Sequence, residues 1–224
     1  KAAEGFEGNF VMRPSSEAEV RRTLAAMVSR GATVDDIQKY YYRLSGSKYA
    51  SIVSSGMVAH ARTPFEHAVC RTLYASDLWY TMRTESGTPP DVLMEMEEAL
   101  EEARGEGIHT NVAYTAYLVH TLGANVYAGE EHDFDKSWAL YLQYEELLAN
   151  KSFVRNGYFQ SLAAEITRGK VPHKISDETL RDMRERVEAL AVDPKTDEVG
   201  RSHCSNLLKA LEKREQGGAT RTIN

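Results

Sequence analysis

The chain has 224 residues, 42% of them hydrophobic, with 27 Lys and Arg against 33 Asp and Glu and a formal net charge of −6. A chain of that size and composition buries a sizeable core, and its acidic balance argues against a protein built mainly to hold nucleic acid or an anionic membrane. Two cysteines, Cys70 and Cys204, make neither a disulfide framework nor a zinc site and suit a reducing compartment.

The sequence begins with Lys1, so a further segment is expected before it. Residues 1–14 read as an N-terminal extension without a hydrophobic signal region. Residues 15–215 read as a single helical domain, and 216–224 as a flexible C-terminal tail. No run of about 18 apolar residues is present, so no transmembrane helix is expected.

Ser15 and Ser16 precede Glu17 and Glu19, and Val20, Leu24, Met27 and Val28 follow at helical spacing. A hydroxyl caps the first free N–H groups, acids favour the positive helix end, and the stripe faces a core. Gly31 stops this helix. Thr33 caps a second, with Val34, Ile37, Tyr41 and Leu44 on one face. Lys48 to Ala61 reads as a weaker helix interrupted by Gly56. Thr63-Pro64 restarts the chain, because proline suits the first helical turn, and the pattern runs on toward Gly87.

Thr88-Pro89-Pro90 opens a helix with Val92, Leu93, Met96 and Leu100 inside and seven acids outside; Gly105 to Gly107 ends it. The next helix is expected from about Asn111 to Gly123. Val126 to His132 reads as an insertion, its acidic tip solvated and capping the following helix. Further helices follow over about 133–150, 152–168, 176–191 and 196–215. Alternating runs bounded by hairpin dipeptides are absent, so the expected class is all-α. Paired helices recurring every few tens of residues predict an α-solenoid of about four to five helix-turn-helix hairpins, since a hairpin with one apolar face must stack on a neighbour.

The segment from Gly107 to Val119 resembles the pentatricopeptide repeat: Gly107-Ile108 ends one hairpin, Asn111-Val112 opens the next, and Tyr114 lies in its first helix. Thr110 stands where the family usually has Pro, Ala113 where it has Thr, and Tyr117 where it has Leu. Asp133 to Tyr141 is similar to the second helix of that repeat, with Ser137 at its small position. The next first helix would hold Tyr158, Phe159 and Leu162. Tyr114 to Tyr158 is longer than one ideal repeat, and the excess falls on the expected insertion. The resemblance implies a helical repeat protein of an organelle, usually the mitochondrial matrix. Among members that act without RNA, the chain is most similar to the accessory type bound outside the catalytic head of euglenozoan mitochondrial ATP synthase. That implies a non-catalytic scaffold with protein subunits as partners, the ATP synthase α subunit among them.

Family members mostly bind single-stranded RNA, and Thr115 occupies a place where the resemblance puts a base-reading residue. Charge argues otherwise. Pro89 to Asn150 holds 13 acids and only two bases, Arg104 and Lys136, which would repel a phosphate backbone. RNA binding in mitochondrial RNA processing or the mitoribosome is therefore the alternative reading.

Enzyme signatures are lacking. The seven histidines show no His-Glu-x-x-His spacing, and His67 with Cys70 reads as a half-buried imidazole beside a core thiol. No cofactor and no metal is implied. Tyr40, Tyr41 and Tyr42 sweep about 200° of a helix, so at least one must leave the core. Tyr41 is expected inside and Tyr40 or Tyr42 at an interface, because aromatics with a polar tip anchor partners. With Tyr114, Thr115 and Tyr117 they form the expected partner-binding set.

Overall fold

A computed structural model describes residues 14–44, 46–108, 112–168 and 173–219. Most of the expected extension at 1–14, the end of the expected tail (220–224) and three residues of the repeat junction, His109, Thr110 and Asn111, lie outside the described residues. The described chain is all-helical: α1 (Glu17–Ser29), α2 (Val34–Leu44), α3 (Ala50–His60), α4 (Pro64–Met82), α5 (Pro90–Gly105), α6 (Ala113–His120), a π-helix (Thr121–Glu130), α7 (Phe134–Gln143), α8 (Glu145–Asn150), α9 (Ser152–Arg168), α10 (Asp177–Val192) and α11 (Glu198–Ala219). Two isolated β-bridges, Thr84 with Gly87 and Asp133 with Lys174, are the extended pairings among the described residues.

The helix boundaries follow from caps. The side chains of Ser16, Thr63, Asp133 and Ser176 accept backbone N–H groups at the starts of α1, α4, α7 and α10. Gly31 and Gly107 sit at positive φ just past α1 and α5. Around Gly107 the Ile108 N–H reaches back to Ala103 O and the Gly107 N–H to Arg104 O, each 3.0 Å. This left-handed turn satisfies two of the last free carbonyls, and glycine adopts it without steric cost. Ile108 is thereby driven into a small core with Ala68 and Ala103.

Two larger cores hold the helices together. Val20, Ile37, Tyr41, Val53, Met57 and Leu73 bring α1 to α4 together. Trp79, Met96, Leu118, Trp138, Tyr158 and Leu207 run through the rest. Each such side chain contributes about 1.5–3 kcal/mol on leaving water. Helix α4 packs on α3, α5 and α6; the π-helix packs on α7 and α9, and α11 on α9 and α10.

Three expectations are corrected. Gly56 does not interrupt α3; a Cβ there would meet Leu24 Cδ2 at 2.5 Å, so glycine admits the α1 side chain. The pattern after Pro64 stops at Met82, and Thr84 to Gly87 form a tight turn instead. The segment read as an insertion is helical as far as Glu130 and buries Val126, Tyr127 and Ala128, while Glu130 and Glu131 are exposed. The chain continues from α6 through Gly123 to Glu130, widening into a π-helix with Leu122, Val126, Tyr127 and Ala128 inside. Gly123 lies at a close crossing, where a Cβ would stand 3.3 Å from Tyr158 and 3.6 Å from Leu140. Ser137 belongs to the same crossing, fully buried and 3.0 Å from the Tyr158 hydroxyl.

Candidate partner-binding surface

Helix α2 carries its three tyrosines about 100° apart. Tyr40 and Tyr41 are both buried, whereas Tyr42 is 57% exposed. Tyr42 leans on α6, where its hydroxyl meets that of Tyr114, and the Gln38 amide also donates to the Tyr114 hydroxyl. Tyr114 itself is half-buried against the first core. Burial, and then the bond to Tyr42, raise the pKa of its phenol, so it stays neutral.

Three residues farther along α6, Tyr117 lies on the same face as Tyr114 and is 45% exposed. Its ring meets the edge of Phe153, at the start of α9, with centroids 5.8 Å apart. Phe153 is 58% exposed. Tyr42, Tyr114, Tyr117 and Phe153 thus form an aromatic strip crossing α2, α6 and α9. Residues 113–120 of α6 contain no Asp, Glu, Lys or Arg. An aromatic strip whose α6 stretch carries no Asp, Glu, Lys or Arg is suited to desolvation by a partner.

The structure brings together three of the expected residues and hides two. Tyr40 packs in the core beside Ile37 and Leu44, so it offers no anchor to a partner. Thr115 has no exposed surface; its hydroxyl lies 3.4 Å from that of Thr72 where α6 crosses α4. It is therefore a packing residue between helices rather than a residue lining an open groove. Phe153 was missed by the sequence reading. Its signal is angular: Val154, Tyr158, Leu162 and Ile166 make the buried face of α9, and Phe153 stands on the roughly opposite side of the helix.

The acids of α5 are organised as braces. Arg71 of α4 bonds Glu95 through Nε and Nη2, Glu102 through Nη1 and Glu98 through Nη2, at 2.8–2.9 Å. His67 Nδ1 reaches Glu102 at 2.5 Å. Burial raises the Glu102 carboxyl, but bonds from Arg71 and His67 outweigh it and hold the pKa low. Glu97 accepts from the Tyr127 hydroxyl at 2.6 Å, and Lys136 lies 3.9 Å above the Tyr127 ring. Glu130, expected at a solvated tip, accepts from the Thr88 N–H at 2.8 Å and its hydroxyl at 3.0 Å, pinning the turn before α5. Asp133 caps α7 as the sequence indicates.

Compared with known proteins, the chain matches no family model, and neither a curated protein nor a solved structure shows significant similarity to it. Among the described residues, no group of three or more His, Cys, Asp or Glu is arranged to hold a metal ion. No described helix is long and apolar enough to cross a membrane. Both thiols are buried, and desolvation pushes Cys70 up to about 12 with help from Glu66 and Asp35. A thiol so protonated is a poor nucleophile. The groove between α5 and α7 encloses about 300 Å³ beside Glu97, Lys136 and Tyr127. Lys136 pairs there with Glu97 and Glu131, Glu97 accepts from the Tyr127 hydroxyl, and Glu101 pairs with Arg104.

Proposed function

We propose that the chain is a non-catalytic scaffold that holds a partner polypeptide across the strip formed by Tyr42, Tyr114, Tyr117 and Phe153. The observation that carries this reading is the strip itself: aromatics from three sequence-distant helices meet on one face, with Tyr42, Tyr117 and Phe153 exposed. Tyrosine and phenylalanine bury much area at small entropic cost, and a few such anchors supply most of the energy of an interface. The succession of α4, α6, α9 and α11 against one another, with α5, α7 and α10 beside them, supports stacked hairpins, and we read them as a pentatricopeptide-like solenoid of about four to five units.

On the resemblance carried by Gly107 to Val119, the proposed setting is a multiprotein complex of the mitochondrial matrix. The proposed partner is the outside of the ATP synthase catalytic head, its α subunit in particular. RNA binding is the second reading, because exposed aromatics such as Tyr117 and Phe153 also stack bases. The 13 acids between Pro89 and Asn150 stand against it. Isolation of the native protein at moderate salt, with nuclease treatment and mass spectrometry, tests the choice. Recovery with ATP synthase subunits after nuclease supports the scaffold. Recovery with other proteins retains the scaffold and refutes the setting, and recovery with RNA alone refutes both.

A further inference from the structure

A second groove lies between α7 and α10 and encloses about 380 Å³. Trp138, Ala139 and Leu142 line it from α7, and Leu142 is 37% exposed. The two helices are clamped to each other along it. Asp135 accepts from the Ser176 N–H at 2.8 Å and its hydroxyl at 3.0 Å. The Trp138 indole N–H donates to Asp182 at 2.7 Å, and Arg186 joins Asp182 at 3.0 Å to Glu145 at 2.9 Å. These cross-links fix the groove before a partner arrives, which lowers the entropy cost of filling it.

Helix α10 contributes Glu178, Asp182 and Glu185 to the groove, at steps of four and three residues that put them on one helix face. With Asp135 they make four carboxylates beside a single lining base, Arg181. Arg186 pairs with Asp182, so counting both arginines leaves two carboxylates in excess. Glu178 and Glu185 are exposed, and among the described residues their side chains make no ion pair or hydrogen bond. An apolar stretch of α7 beside an uncompensated acidic row complements an amphipathic helix whose apolar face is flanked by Lys or Arg. Nucleic acid and anionic lipid carry the wrong sign for it.

We propose that the groove between α7 and α10 docks a basic amphipathic helix of a partner protein. The site uses other helices than the aromatic strip and does not depend on it. The partner's apolar side chains cover Ala139 and Leu142, and its cations meet Glu178 and Glu185. Exposed ion pairs contribute little each, so the apolar contact supplies most of the affinity and the acids select the partner's charge.

A labelled helix-forming peptide of Leu, Ala and Lys, with its leucines on one face, is expected to bind the full chain saturably in fluorescence anisotropy, and more weakly as salt rises. Leu142→Asp is expected to weaken binding about tenfold, and Glu178→Lys and Glu185→Lys about threefold or more each. Glu188→Lys, the same charge change on α10 outside the groove, and Tyr117→Ala, on the strip, are expected to leave it in place. NMR of the unaltered chain gives an independent reading. The peptide is expected to move the indole N–H resonance of Trp138 and not that of Trp79, which is bonded to Thr88. No saturable binding, equal binding of a peptide of the same residues in scrambled order, binding indifferent to the three groove substitutions, or an unmoved Trp138 resonance would overturn the proposal. So would self-association of the chain that Leu142→Asp abolishes, since the groove would then hold a second copy.

Discussion

The Tyr41 hydroxyl donates to Asp77 Oδ1 at 3.0 Å, joining α2 to α4, while among the described residues Asp77 Oδ2 is enclosed without a partner. Burial pushes the Asp77 carboxyl up to about 6, against the pull of the Ser54 hydroxyl from α3 and of Tyr41. Among the described residues no charged side chain contributes to that shift. In the unfolded chain an Asp titrates near about 3.9. The folded state therefore favours the protonated form. Stability is highest below the unfolded value, falls as pH rises through about 4 to 6, and levels off above. Asp77→Asn is expected to remove that fall and raise stability at pH 7.5 by about 2 kcal/mol. Thermal or urea unfolding of both chains across pH 4–8 checks it; parallel profiles would refute it.

Arg71 gathers three carboxylates at 21% side-chain exposure, so its removal leaves a partly buried anionic cluster. Arg71→Leu is expected to cost about 3 kcal/mol in urea unfolding, and Arg71→Lys less, since lysine keeps the charge but loses the planar fork. A loss below about 0.5 kcal/mol in Arg71→Leu would show the brace to be superficial.

Surface and core aromatics are expected to separate cleanly. Tyr117→Ala and Phe153→Ala should leave the unfolding midpoint nearly unchanged and weaken partner capture at least tenfold in a pull-down from the native complex. Tyr40→Ala should destabilise by about 3 kcal/mol, because it empties a buried aromatic site. Capture unaffected by the two surface changes would remove the strip from the interface.

Much of the fold is written in local signals. Ser16, Thr63, Asp133 and Ser176 cap helices at their own positions, and Gly31 and Gly107 end them, because each requirement is met within a few residues. The π-helix was not legible. Gly123 and Gly129 look like breakers along the chain, yet Gly123 is there to admit Tyr158, a residue of another helix. The strip was partly legible for the same reason. Periodicity indicates that one of Tyr40, Tyr41 and Tyr42 must leave the core, but which one depends on where α6 lies. Thr115 was misplaced because its exposure is set by α4, and Phe153 was passed over because a lone apolar residue off the stripe carries no meaning until Tyr117 stands beside it.

Glu130 joins the π-helix to the turn before α5 through Thr88, whose hydroxyl also accepts from Trp79 Nε1 at 2.8 Å. Glu130→Ala is expected to cost about 1 kcal/mol and to speed amide exchange at Thr88 in the folded protein. Unchanged exchange there would show the turn to be held by Trp79 alone.

The wide coil between Thr121 and Glu130 gives this molecule a tolerance that ordinary helices lack. Excising one residue from it allows the remaining backbone to rewind to a tighter pitch, returning Asp133 to its place at the head of α7. The same excision within α4 would rotate the later side chains of that helix by about 100° and break its contacts with both cores, to which Cys70, Leu73, Ala75 and Trp79 belong.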